Sequence, residues 1–507
     1  MLKRNLIANY LGQGWVALIG LAFIPLYIKY IGIEAYGLIG LFAVLQAWFS
    51  LLDMGMTPTL IREMGRFTGG SRTAESIRDL LRSIEIIGLG IASLIVGGVA
   101  LGSNWIATSW LQAENLPVDV VAQAFVIMGL VAALRFVEGI YRSCIVGLQR
   151  QVLFNLIASV MATLRALGAV AILAWVSPTI EAFFLWQGLM SIVTLGILAI
   201  ATYATLPRAV RGGRFSLQVL RGVWRFAGGM LGITFLATLL TQADKILLSK
   251  LLSLSEYGYY ALAVVVASTV FILITPITQA LYPRLCELHA RDDQGAMTTL
   301  YHQGAQFVSV VAGSAAIVLI LFAETFLYLW TQDPDLAQRV APLLSLLMLG
   351  NLLNGLMWIP YQTQLAHGWT SLAVRINIVS VLVIVPAILW VTPRFGAEGA
   401  AWVWVSLNAL RLISVVHFMH RRILLGEKWR WYTRDGFAPL AAGVTVAIGV
   451  KSLRPDAEAI AIDFMVLAAA FCLTIGASAL AANHTRMFLF TLLRSHKFLP
   501  GVSQSRV

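Results

Sequence analysis

Apolar runs of about twenty residues recur from one end of this chain to the other. A helix rises about 1.5 Å per residue and a hydrocarbon core is about 30 Å thick, so each run is long enough to cross a bilayer. Only a helix or a closed barrel satisfies its own backbone polar groups in lipid, and runs of this length favour the helix. Of the 507 residues 59% are hydrophobic, outside the range of ordinary soluble domains. These features predict an all-α polytopic membrane protein with about 14 transmembrane helices. The spans fall near 8–29, 36–56, 83–102, 119–141, 152–175, 180–203, 224–249, 257–282, 305–329, 339–360, 370–391, 397–419, 436–451 and 460–482. The first run follows Lys3 and Arg4 as a signal peptide would, but its length and the lack of a small-residue cleavage pattern predict a retained span.

Basic residues alternate between connections. One face carries Arg62, Arg66, Arg72, Arg78 and Arg82, then Arg142 and Arg150, Arg208, Arg211, Arg214 and Arg221, Arg284 and Arg291, Arg421 to Arg434, and Arg486 to Arg506. The other has mainly Lys29, Lys250, Arg339, Arg394, Lys451 and Arg454. Positive charge gathers on the cytoplasmic side, which predicts a multi-pass protein with both termini in the cytoplasm. The net charge of +12 therefore reflects topology and contact with lipid headgroups, and nucleic acid is not an expected partner. The longest connections, near 57–82, 204–223 and 283–304, are too short for a catalytic domain. Arginines through 62–82 and 208–225 are expected on amphipathic interfacial helices, with contact to a substrate phosphate as the alternative.

Glu34-Ala-Tyr36-Gly37 between spans 1 and 2 is matched by Ser255-Glu256-Tyr257-Gly258 between spans 7 and 8. The repeat predicts an N-terminal six-helix lobe (1–205), an inter-lobe linker (206–223), a second six-helix lobe (224–430), and two additional helices with a cytoplasmic tail (431–507).

Charges inside the spans need partners or a wet cavity. Arg135 and Glu138, three apart in VAALRFVEGIYRSC, share a helical face and are either a neutralising pair or one wall of a polar passage. Arg165 has no acidic neighbour in sequence, and its guanidinium suits phosphate oxygens. Arg375 with Asn377, and Arg411 with Asn408, repeat the pattern of a lone arginine beside an asparagine. Asp53, Glu138 and Asp244 are candidates for ion coupling or gating; Asp244 and Lys245 point about 100° apart on a helix and need not neutralise each other. Cys144, Cys286 and Cys472 lie far apart, and His289, His302 and His367 form no metal spacing. Dinucleotide and phosphate-loop motifs are missing, so no cofactor and no intrinsic ATPase are expected.

Tyr36-Gly37, LLDMGMTPTLIRE at 51–63, QADKILLSKLLSLSEYGYYALA at 242–263, TPITQALYPRL at 275–285 and FGAEGAAWVWV at 395–405 occur in an order that resembles bacterial O-antigen and lipid-linked oligosaccharide flippases of the multidrug/oligosaccharidyl-lipid/polysaccharide exporter superfamily. The resemblance covers most of residues 1–430. It implies a transporter, not an enzyme, that moves an undecaprenyl-diphosphate-linked glycan from the cytoplasmic to the periplasmic leaflet by alternating access. It also implies two lobes around a cationic cavity, a proton or sodium gradient as driver, and polysaccharide-assembly proteins as partners. Asp53 with Arg62, and Asp244, fall at corresponding regions of the two lobes. A multidrug exporter of the same fold and a membrane glycan polymerase or ligase are the competing readings.

Overall fold

The computed structural model describes residues 2–68, 73–206, 211–221, 224–369, 371–454 and 460–487. The linker residues 207–210 and 222–223 and the tail 488–507, with Arg208, Arg494, Lys497 and Arg506, lie outside them. Nearly all the described chain is helical, as the polar backbone requires in lipid. Among the described residues ten helices are long and apolar enough to cross a membrane, against the fourteen spans expected. Beyond the ten, Leu11–Ala22 is a shorter apolar helix, Ala438–Ser452 has 15 residues, and the 28-residue Trp224–Leu251 helix covers the seventh expected span. The 52-residue stretch Ser371–Arg422 covers two expected spans, two helices that meet at a non-helical Gly396 (φ 60°). Only glycine adopts that backbone without strain.

The chain divides into two compact units, Met1–Leu262 with Val381–Ala397, and Ala263–Ser380 with Glu398–Val507. In the first, the Val118–Gly147 helix packs against Ala74–Trp105 and Ile180–Thr205, while Leu2–Ala22 packs on Gln151–Trp175. In the second, the C-terminal helices Ala438–Ser452 and Ile460–Ala481 pack on each other and on Gln294–Leu321. Ile317, Val318, Phe322, Ala447 and Ala470 form a buried cluster there. A Cβ on Gly443 would fall 2.6 Å from the Ser478 hydroxyl, so this pair needs a small residue to reach its spacing.

Three local expectations are corrected. The reversal expected around Glu34 to Gly37 occurs earlier, at Gly32 (φ 79°) inside the Ile24–Phe49 helix, because glycine alone takes that turn cheaply. Tyr36 and Gly37 are therefore helical and buried, as are Tyr257 and Gly258 in Leu254–Ala267. The two motifs meet: a Cβ on Gly37 would lie 2.7 Å from the Leu254 carbonyl, one on Gly40 2.6 Å from the Ala261 Cβ, and one on Gly258 would overlap the Ile33 carbonyl. Small residues three apart on each helix thus allow backbone-to-backbone contact. Glu34 has a separate task. Its carboxylate accepts from the backbone N–H of Glu114 (2.7 Å), Asn115 (3.0 Å) and Leu116 (3.4 Å) and from Asn115 Nδ2 (2.9 Å). Glu256, its counterpart in the repeat, is exposed.

The third correction concerns the linker. Met56–Thr68 is a helix, as expected for the start of the 62–82 stretch, but residues 212–216 are not helical. They are strapped to the helix that begins at Ala74. Asp79 accepts two bonds from Arg211 (2.6 and 3.0 Å) and one from the Arg214 backbone N–H (2.8 Å), and the Ser216 N–H reaches the Ser83 hydroxyl (2.9 Å).

Candidate functional site: a basic cavity in the first unit

The Val118–Gly147 helix presents Arg135, Glu138 and Arg142 along one stripe, because residues three and four apart stack on a helix face. Arg165 comes from Gln151–Trp175 beside it. With Gln46 and Asn155 they line a cavity of about 710 Å³, within the usual range of small-molecule pockets. Three arginines face one glutamate, so the lining is basic.

Arg142 is exposed and lies over the Phe154 ring, whereas Arg135 and Arg165 are held by hydrogen bonds. Arg135 donates to Gln46 Oε1 (3.1 Å) and Gln187 Oε1 (3.0 Å) and lies 5.1 Å from the Phe42 ring. Arg165 donates to the Ser191 (3.4 Å) and Thr194 (3.3 Å) hydroxyls, and its backbone carbonyl accepts from Trp186 Nε1 (3.0 Å). Glu138 pairs across the helices with Arg165, at 3.7 Å, and not with Arg135 three residues away. The i, i+3 spacing permitted the local pair; tertiary packing chose the other. Arg165, without an acidic neighbour in sequence, has one in space. Neutral oxygens orient Arg135 without cancelling its charge. The Nε atoms of both arginines and one Glu138 oxygen are buried without a hydrogen-bond partner. Such atoms are costly to leave unpaired, and a ligand rich in acceptor oxygens would satisfy the two guanidinium donors.

Asp53 lies on a smaller adjoining cavity of about 200 Å³ that shares Gln46 and Arg135 with the large one. Its carboxylate caps the helix from Met56, accepting from the Thr57 N–H (3.0 Å) and hydroxyl (2.8 Å) after a reversal through Met54 and Gly55, both at positive φ. Asp244 is buried, accepts from the Tyr260 hydroxyl (2.9 Å) and is met by Lys245 Nζ at 3.3 Å. These neighbours do pair, because the lysine stem folds back to the Thr241 carbonyl (2.6 Å).

The remaining candidates belong to the second unit. Arg411 donates to Asn408 (3.3 Å) and Asn377 (3.1 Å), and Asn354 joins through Asn408 (3.1 Å). Asn377, expected beside Arg375, serves Arg411 instead, and Arg375 is exposed. Sequence reasoning missed Gln46, Gln187, Ser191 and Thr194, since uncharged polar residues in apolar helices give only a weak signal. Among the described residues no three His, Cys, Asp or Glu side chains gather as a metal site.

The fold and this cavity define a polytopic α-helical membrane protein with a basic cavity. The chain belongs to the polysaccharide biosynthesis protein family, which matches residues 2–289; a second family, MatE, matches residues 230–390. A Shigella flexneri protein whose name assigns it provisionally to O-antigen transport is 19% identical over 416 residues, 81% of this chain and 96% of that protein. Among solved structures, the lipid II flippase MurJ in an inward closed conformation superposes with a TM-score of 0.67 at 11% identity, over 97% of this chain and 99% of that one. An inward-facing multidrug resistance MATE family transporter superposes with a TM-score of 0.65 at 14% identity, over 81% and 94%. The fold is thus the one these transporters share.

Proposed function

We propose that this protein flips an undecaprenyl-diphosphate-linked oligosaccharide, such as an O-antigen repeat unit, from the cytoplasmic to the periplasmic leaflet. The observation that carries the reading is the basic cavity. Arg135 is oriented by neutral oxygens, Arg165 by two hydroxyls and Glu138, and both keep unpaired Nε donors, an arrangement suited to a diphosphate. A cavity that replaces the water around the headgroup while the prenyl chain stays in lipid avoids the cost of dragging sugar and charge through hydrocarbon. Glu138 sets Arg165 in place and is the ionisable group through which a proton could be coupled to cargo. Asp53 and Asp244, each satisfied by its own neighbours, act as supports of the moving parts.

The same reading assigns fourteen spans, as two six-helix lobes plus two, with both termini cytoplasmic. It takes the Gly37–Gly258 contact as one end of an alternating-access cycle. A proton or sodium gradient drives it, and no bond in the cargo changes.

The test replaces Arg165 with glutamine or lysine and measures leaflet transfer of a diphosphate-linked glycan per inserted protein in reconstituted vesicles, beside thermal unfolding. Transfer should fall at least about tenfold with glutamine and recover in part with lysine, as loss of one charged hydrogen-bonding group implies. Equal losses of transfer and stability would reduce Arg165 to a structural role. Robust movement of organic cations with no glycan transfer would establish the multidrug reading instead.

A further inference from the structure

His302 looks in sequence like a lone histidine, yet it is fully buried on the Gln294–Leu321 helix with a carboxylate at each ring nitrogen. Nδ1 is in very short contact with Asp435 Oδ2, and Nε2 lies 3.0 Å from Glu427 Oε2. Asp435 is itself buried, and its second oxygen accepts from Gln306 Nε2 at 2.8 Å. Gln306 Oε1 in turn accepts the His484 backbone N–H at 2.8 Å. One histidine thereby ties together the connection after Arg422, the segment leading into the C-terminal helix pair, and the end of the last helix.

The geometry restricts what can occupy the site. The carboxylates sit on opposite edges of the imidazole and cannot converge on one metal ion, in keeping with the absence of a metal cluster among the described residues. An ionised carboxylate only accepts, so with both ionised each ring nitrogen must carry a proton. Buried charge is tolerated when paired and bonded, and here the partners are in place. Among the described residues, the titratable groups around the ring come from a few elements. Glu427 carries Arg430 at 3.5 Å on its outer side, and Asp435 comes from the Trp431–Phe437 segment. Tyr301 packs edge-on to the ring and shares a hydrogen bond with His420 (3.2 Å). His484 stands behind Gln306, and burial pulls its imidazole below the ordinary range, so it stays neutral.

We propose that His302 is a proton-binding site, an imidazolium clamped between Asp435 and Glu427, whose proton latches the 427–437 segment to the Gln294–Leu321 helix. With the proton bound, His302 and Arg430 balance the two carboxylates. Its loss leaves a bare ring nitrogen facing a carboxylate, two acceptors with no donor between them, and frees that end of the segment. The site lies outside the basic cavity and does not depend on the identity of the cargo.

The test uses full-length, ¹⁵N-histidine-labelled protein in lipid nanodiscs, with His302→Gln to assign the signal. With a carboxylate at each ring nitrogen, both His302 nitrogens should report N–H. A neutral ring in the wild type overturns the proposal. Glu427→Gln keeps the fold testable, because a glutamine N–H can donate to a bare Nε2; its His302 should become neutral, and a persistent imidazolium would overturn the two-carboxylate clamp. His302→Gln should speed amide exchange in 427–437 at least about tenfold at constant pH, as loss of one charge-assisted hydrogen bond implies. Unchanged exchange overturns the latch.

Discussion

Replacing Gly258 with alanine should weaken the contact between the Ile24–Phe49 and Leu254–Ala267 helices. The new methyl would overlap the Ile33 carbonyl, a backbone atom that no rotamer change can remove, while on the facing side Gly37 is already against the Leu254 carbonyl. Ordinary carbon contacts need about 3.5 Å, so relief requires the helices to part by about 1 Å. Overpacking of this kind costs about 1–3 kcal/mol. The helix-propensity gain of glycine to alanine, about 0.5–1 kcal/mol, is present with the helices together or apart and cancels from their ratio. The closed contact should therefore lose population by about 5-fold to 160-fold. Gly97 is the control, since nothing lies within 4 Å of a Cβ placed there. In a chain whose Cys144, Cys286 and Cys472 are replaced, a cysteine at Ser255 reports exposure through its labelling rate with an impermeant maleimide. Gly258→Ala should raise that rate at least about fivefold while Gly97→Ala leaves it unchanged. Equal rates and equal melting temperatures in the two variants would refute the steric argument.

Glu34→Gln keeps one acceptor but loses the charge that four donors share, and should cost about 2–3 kcal/mol in the 112–118 connection. Amide exchange over that stretch measures it, and protection equal to the wild type would count against the role. For topology, cysteines at Glu114 and Gln332 should label in intact cells and one at Arg150 only in opened vesicles; the reverse pattern would invert the orientation. His367 gives a pH dependence. Burial, with His289 beside it, lowers its imidazole from the ordinary 6.5, so on acidification the unfolded chain binds a proton first and stability falls below about pH 6.5. His367→Gln should flatten that slope in thermal melts, and an unaltered slope would assign it to other groups.

The sequence by itself determined the solvent and the material. Apolar runs of bilayer length leave the backbone no alternative to helices, and this was legible without coordinates. It also marked the Tyr-Gly pairs at 36–37 and 257–258, and it marked Arg135, Glu138 and Arg165 as charges in need of an explanation. What it could not fix was partnership. Spacing permitted Glu138 to face Arg135, but Gln46 and Gln187, 89 and 52 residues from Arg135, took that arginine, and Glu138 turned to Arg165. Glycine signalled close approach without saying to what; only the fold brought Gly37 against Gly258. Between the spans expected at 370–391 and 397–419 the structure places a kink at Gly396. His302 was invisible because its carboxylates lie 125 and 133 residues away, in a connection read as cytoplasmic charge and at the start of an extra helix. Hydropathy and periodicity are sums over neighbours in sequence, whereas a buried charge is settled by whichever polar atom packing delivers to it, and that is a property of the tertiary structure alone.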